Sequence, residues 1–265
     1  MADLRRPHRP HAPNRPRRLR RLRRLATAAL ALTPLLSPVL APAAASAASA
    51  AVLPLAGPAG HLQHESVNGA DTVTSTDWAG YAANGSTYTS VSASWVQPAV
   101  KCTSVNQYAS FWTGLDGYSS ASVEQTGSEA DCVGGTAEYY AWYEMYPAAP
   151  VIYSNTLKAG DKVTASVTFS GTSTYVLTFT DTTQGWSHAT TKTASGLARS
   201  SAEVIVEAPA GSSGVLPASG FAAIDFTGCR VNGATLGSFD PTKIQSPGLT
   251  VSPITDGTNF SVSRS

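Results

Sequence analysis

From Trp78 to the C-terminus the chain is written in short runs of Val, Thr, Tyr, Ser and Phe, broken by Gly, Pro, Asn and Asp. No helical period interrupts them. YTSVSASWVQP (88–98), KVTASVTFS (162–170), TYVLTFTD (174–181), EVIVE (203–207) and FAAIDFTG (221–228) carry this texture, several with the period-two alternation of half-buried strands. SGTS (170–173) and TDGT (255–258) read as hairpin turns, the Asp256-Gly257 pair being the stronger signal. Evenly spaced short strands with turn residues between them predict an all-β sandwich of two antiparallel sheets. The sequence shows no internal repeat.

The first 50 residues obey different rules. Ten arginines lie between Arg5 and Arg24, followed by the apolar run LATAALALTPLL (25–36) and the small-residue stretch APAAASAASA (41–50). Basic, apolar and small-residue regions in that order predict a signal peptide for export, cleaved after Ala47 or Ala50. The paired arginines leave both the twin-arginine and the general route open. Pro34, Pro38 and Pro42 break the apolar run, which is too short to span a bilayer. Residues 51–74 show little pattern and read as a spacer or short pro-segment. The domain proper is expected over 75–265, about 190 residues, enough for a single domain with a full core.

Export changes the charge balance. Removing ten arginines and Asp3 from 18 basic and 17 acidic residues leaves 8 and 16, net −8. An acidic exported protein is a poor partner for nucleic acid. Neither a membrane nor a second copy of the chain is an expected partner of the mature form, and many carboxylates with few amines suit work at low pH. All three cysteines lie in the exported part, an oxidising setting. Cys102–Cys132 is the expected disulfide, because it closes a loop around VEQTG (123–127), and Cys229 is then left over. His188, placed in the polar loop TTQGWSHATTK (182–192), is the only histidine of the domain. With one histidine and no GxSxG, HExxH or P-loop motif, histidine-based nucleophilic catalysis is excluded, and neither metal nor cofactor is expected. Carboxylates and amides remain.

Three segments offer them. In WTGLDG (112–117), Trp112, Gly114 and Asp116 share one strand face. In YAWYEMYP (140–147), Trp142, Glu144 and Tyr146 do, and in SAEVIVE (201–207), Glu203, Ile205 and Glu207 do. Faces that mix Trp, Glu and Tyr suit the floor of a groove for an extended polymer. Each residue also has an ordinary reading: Glu207 as an exposed strand-end carboxylate, Gln125 as a turn cap, Glu144 as a solvated edge residue, Asp116 as a turn former, and the tryptophans as core.

The order Trp78-Ala79-Gly80, WTGLDG, VEQTG, AWYEMYP and AEVIVE resembles the glutamic peptidases, also called eqolisins or peptidase family G1, over residues 75–230. The resemblance implies a concanavalin-like (jelly-roll) sandwich and a catalytic pair at Gln125 and Glu207. It implies that Glu207 takes a proton from water, that the Gln125 amide donates to the oxyanion, and that Glu207 then protonates the leaving amine of a protein or peptide substrate. Trp78, Trp112, Asp116, Glu144 and Tyr146 are the residues expected to contact substrate or orient the pair. The chain departs from the fungal pattern at Glu124, Tyr140 and Met145, three positions expected to flank the groove. Two rival readings share the fold: a glycosidase using Glu144 and Glu207, and a non-catalytic lectin-like module stacking sugars on Trp112, Trp142 and Tyr146.

Overall fold

Strand β10 (Thr174–Asp181) shows how the sequence builds the fold. Tyr175, Leu177, Phe179 and Asp181 are buried, whereas the residues between them are only partly so. β9 (Lys162–Phe169) repeats the pattern with Val163, Ala165 and Val167, and the two pair through a turn that carries Gly171, Thr172 and Ser173 at positive φ. A pleated ribbon with one apolar face must cover that face, and two sheets do so mutually.

In the computed structural model the residues described are 63–67, 70–211 and 214–265. The expected signal peptide lies outside them. One sheet has nine strands in the order β1 (Gln63–Val67), β2 (Ala70–Thr74), β17 (Thr242–Gln245), β3 (Trp78–Asn84), β12 (Ser201–Glu207), β5 (Ser110–Leu115), β6 (Val123–Val133), β7 (Thr136–Tyr146) and β8 (Val151–Ile152). The other runs β11 (Trp186–Thr193), β10, β9, β4 (Ser90–Val96), β15 (Ala223–Val231), β19 (Phe260–Arg264) and β18 (Leu249–Val251), with β16 (Ala234–Thr235) beside β15. A small ribbon joins β13 (Ala210–Gly211) to β14 (Gly214–Val215). Among the strands of the described residues, pairing is antiparallel except between β17 and β2. The main core lies between the sheets, where Phe111, Val204 and Val206 meet Trp95, Val163, Leu177, Phe179 and Phe226. Trp95 packs edge-on against Phe179 and Phe226, at centroid distances of 6.0 and 5.6 Å. Among the described residues no helix is long and apolar enough to cross a membrane.

The two-sheet sandwich expected from the sequence is the fold observed. Cys102 and Cys132 form the expected disulfide, and Cys229 is free and buried. TDGT makes its turn, closed by a bridge between Thr255 and Asn259. Two expectations are corrected. Residues 63–67 and 70–74 are strands β1 and β2 rather than patternless spacer, because β17 supplies a ladder that no local pattern announces. The segment read as a polar loop around His188 is strand β11. Its Thr and Ser side chains alternate between partly buried and exposed at the sheet edge, so no apolar face marks it. His188 stacks on Tyr153 with ring centroids 4.5 Å apart, and its Nε2 lies 2.6 Å from Asn155 Oδ1.

Candidate active site

Strands β3, β12, β5 and β6 differ from β9 and β10 in being buried on both faces. Their second face, turned away from the inter-sheet core, carries the polar candidates. Cross-strand register arranges it in rows. Ile205, Trp112, Gly127, Trp142 and Ile152 form the middle row. On one side lies the row Trp78, Glu207, Ser110, Glu129 and Tyr140. On the other lies Ala82, Glu203, Gly114, Gln125 and Glu144. Val73, Trp78, Ala82, Trp112, Val123, Trp142, Ile205 and Ile244 make this face a second apolar cluster, with Tyr118, Tyr140 and Tyr146 against it.

Gln125 and Glu207 therefore stand on one face, on either side of the tryptophan row. A flat sheet would separate their Cα atoms by roughly 16 Å, from two inter-strand steps and four residues of rise. The Trp112 indole spans this interval. Its Nε1 donates to Glu207 Oε2 at 2.9 Å, which draws that carboxylate toward the middle row. Its ring passes over Gly114, where a Cβ would lie 3.0 Å from Trp112 Cζ3 and 3.2 Å from Gln125 Cβ. Gly127 permits the same approach from β6, since a Cβ there would come within 2.5 Å of Trp112 Cβ and 2.4 Å of the Phe111 carbonyl oxygen. Trp78 closes the face from β3, edge-on to Trp112 at 4.9 Å.

The Gln125 amide is oriented from its other side. Its Nε2 donates to Glu144 Oε2 at 2.6 Å. Burial pushes the Glu144 carboxyl up to about 8, with the Gln125 bond opposing, so it is uncharged in acid. Glu203, across Gly114, is fully buried and is likewise held well above the ordinary carboxylate range by desolvation. Gln125 thus sits between two neutral acids. The indole N–H groups of Trp78 and Trp142, also buried, have no hydrogen-bond acceptor.

Of the sequence candidates, Trp78, Trp112, Gln125, Glu144, Tyr146 and Glu207 come together on this face. Asp116 does not. It follows β5 in a left-handed conformation (φ 69°). Its carboxylate accepts from Arg199 N (2.7 Å), Ser200 N (2.8 Å) and Ser200 Oγ (3.1 Å), which ties the chain entering β12 to the end of β5. The departures at Glu124 and Met145 do not flank the groove either. They pair with each other on the opposite face, where Met145 packs on the inter-sheet core and the Glu124 charge acts on Tyr175. Tyr140 does face the groove and donates to Asp131 Oδ2 at 2.6 Å. Counting by twos along VEQTGSEAD also places Glu129 and Asp131 on the face of Gln125, a signal that sequence reading passed over.

Relatives share this arrangement of strands. The Peptidase A4 family pattern matches residues 76–263. Aspergillopepsin-2 of Aspergillus niger is 30% identical over 196 residues, which cover 63% of this chain and 69% of that protein. Scytalido-glutamic peptidase, solved with a peptide-based transition-state analogue, superposes with a TM-score of 0.63 at 27% identity, covering 72% of this chain and 98% of its own. SCP-B, an eqolisin solved with the tripeptide Ala-Ile-His, gives a TM-score of 0.60 at 26% identity, with the same 72% and 98% coverage. Motif order, sandwich topology and these similarities lead to one conclusion: the chain belongs to the Peptidase A4 family, the glutamic peptidases or eqolisins.

Proposed function

We propose that this chain is an exported, acid-acting endopeptidase that hydrolyses peptide bonds with Glu207 as base and acid and Gln125 as oxyanion donor, without a covalent intermediate. The observation that carries this reading is the Trp112 indole, which holds Glu207 by its N–H and passes its ring over Gly114, the residue that pairs with Gln125. Water between the two residues loses a proton to the Glu207 carboxylate. The hydroxide adds to the scissile carbonyl carbon while its oxygen becomes an anion. Glu144 holds the Gln125 amide by accepting from its Nε2, and that amide donates to the developing oxyanion. Collapse breaks the C–N bond as protonated Glu207 passes its proton to the leaving nitrogen, restoring the carboxylate.

Glu144 acts here through Gln125, as a positioning residue, and Asp116 through the β5–β12 junction. Trp78 and Trp142 offer N–H donors to the carbonyls of an extended peptide, with Tyr146 beside them. The peptide-based inhibitor and tripeptide complexes of scytalido-glutamic peptidase and SCP-B support a peptide substrate over the carbohydrate readings. Residues 1–50 serve export, and the peptidase domain acts as a monomer. Gln125 and Glu207 are no more than 1% exposed, so a peptide reaches them only once this face is opened.

The test is cleavage of a denatured protein substrate across pH 2–8, with pepstatin present, by the wild type, Glu207→Gln and Gln125→Ala. Losing the base or the oxyanion donor is expected to lower kcat by about 10²–10⁴ while the fold persists. Near-normal cleavage by either variant refutes the assignment.

A further inference from the structure

The row that ends in Glu207 continues through Ser110 to Glu129. Antiparallel neighbours are about 5 Å apart, which puts the two glutamate Cα atoms about 10 Å apart with one small side chain between them. The Ser110 hydroxyl donates to Glu129 Oε1, while Glu129 Oε2 has no hydrogen-bond partner. Two residues along β6, Asp131 faces the same way and accepts from Tyr140 and from the Ala109 amide (3.3 Å). Glu129 is 3% exposed and Asp131 1%. The groups that press on Glu129 are the Asp131 and Glu207 carboxylates and the Ser110 hydroxyl, with Glu138 beyond Asp131 and Tyr140 across the ladder. None of these is a cation. A face this dry does not hold three adjacent carboxylates in the charged form.

The proposed reaction needs one negative charge on this face at every stage. It begins on Glu207. As the hydroxide adds, Glu207 is neutralised and the charge reappears on the oxyanion. When the C–N bond breaks, the charge returns to Glu207. We propose that Glu129 is a positioning residue for this cycle: uncharged, it leaves the single charge to Glu207 and the oxyanion, and its ionisation ends activity on the alkaline side. An ionised Glu129 favours protonated Glu207 and so removes the base. It also repels the oxyanion forming beyond Trp112. The inference rests on the Gln125–Glu207 reading above. Burial, with Asp131 next, raises the Glu129 carboxyl well above its ordinary range, and Asp131 is pushed up to about 6. Both directions are those the proposal requires.

Two variants test it through the pH profile of kcat/KM. Glu129→Gln keeps the shape of the neutral acid and cannot ionise. Its alkaline limb is expected to move upward by at least about one pH unit, the size of a single like-charge effect. Ser110→Ala leaves Glu129 in place and removes a donor that favours its ionised form, and its limb is expected to move the same way by less. Initial rates are taken only where circular dichroism shows folded protein. An alkaline limb unmoved in either folded variant overturns the proposal. So does a limb moved downward, or a wild-type limb that merely tracks unfolding. Glu207→Gln, run alongside, separates the two levels. An active Glu207→Gln overturns the dyad and this inference together. An inactive one with unmoved limbs in the other variants overturns this inference alone.

Discussion

Replacing Glu124 by Gln should make the protein more stable at neutral pH and leave it nearly unchanged in acid. Glu124 points between the sheets, away from the candidate site, and neither carboxylate oxygen has a hydrogen-bond partner. Burial raises its carboxyl from 4.5 to about 8, and the nearby Asp116 charge adds to this. A group whose proton is held more tightly in the folded state stabilises that state fully below its unfolded value. The contribution fades as pH climbs through the folded value. The window is therefore about pH 4.5 to 8. At pH 7 the wild type has crossed 2.5 pH units of it, a loss on the order of 3 kcal/mol. Glutamine has no proton to lose. For a domain of this size each kcal/mol shifts Tm by roughly 2–4 °C. Glu124→Gln should melt with the parent at pH 4 and roughly 6–12 °C above it at pH 7. Calorimetry at both pH values, in a Glu207→Gln background that prevents self-digestion, reads this directly. The reasoning is refuted if the Tm difference is the same at both values, or if the variant is the less stable at pH 7.

Two further outcomes follow from single contacts. Trp112→Phe keeps most of the ring and deletes the N–H that Glu207 accepts. A hydrogen bond to a charged group contributes about 1.5–3 kcal/mol, so kcat/KM should fall roughly 10- to 150-fold. The acid limb of its pH profile should move upward, because the lost donor favoured the ionised base. An unchanged acid limb would count against Glu207 as that base. The disulfide closes a 30-residue separation. Cys102→Ser with Cys132→Ser should cost about 3.5 kcal/mol by the loop-entropy relation, measured as a lower denaturant midpoint that added reductant no longer shifts.

How much was legible depends on whether the deciding force is local. β4, β9 and β10 were readable because alternate residues choose between core and surface, and Val163, Val167, Leu177 and Phe179 make that choice visible. β11 was not, because an edge strand of Thr, Ser and Lys buries too little apolar area to leave a period. β1 and β2 were hidden because β2 depends on β17, some 170 residues away. At the site, alternation placed Trp112, Glu144 and Glu207 on groove faces, while Gln125 rested on family resemblance. Asp116 was misplaced. The period-two count runs one residue past the end of β5, where the left-handed turn aims its carboxylate at Arg199 and Ser200. That Ser110 joins Glu207 to Glu129 is a matter of register between three strands far apart in sequence, which no single segment encodes.

The same rows connect the proposed acid activity to the fold. A sheet covered on both faces ordinarily carries apolar residues on both. Here the outward face holds Glu203, Glu207, Gln125, Glu129, Asp131 and Glu144 among three tryptophans. Charged, these carboxylates would repel one another across a dry surface with no basic side chain in the rows between them. Protonated, Glu144, Glu129 and Glu203 become small polar fillers that pack beside indole rings at modest cost. Low pH therefore reduces the cost of building the face and leaves one carboxylate, Glu207, singled out by an indole N–H donor. If so, the pH window in which the sheet is stable and the window in which the proposed chemistry runs share a cause. Two substitutions should separate them: Glu124→Gln, on the opposite face, extends the range of stability without moving the activity limb, and Glu129→Gln moves the limb.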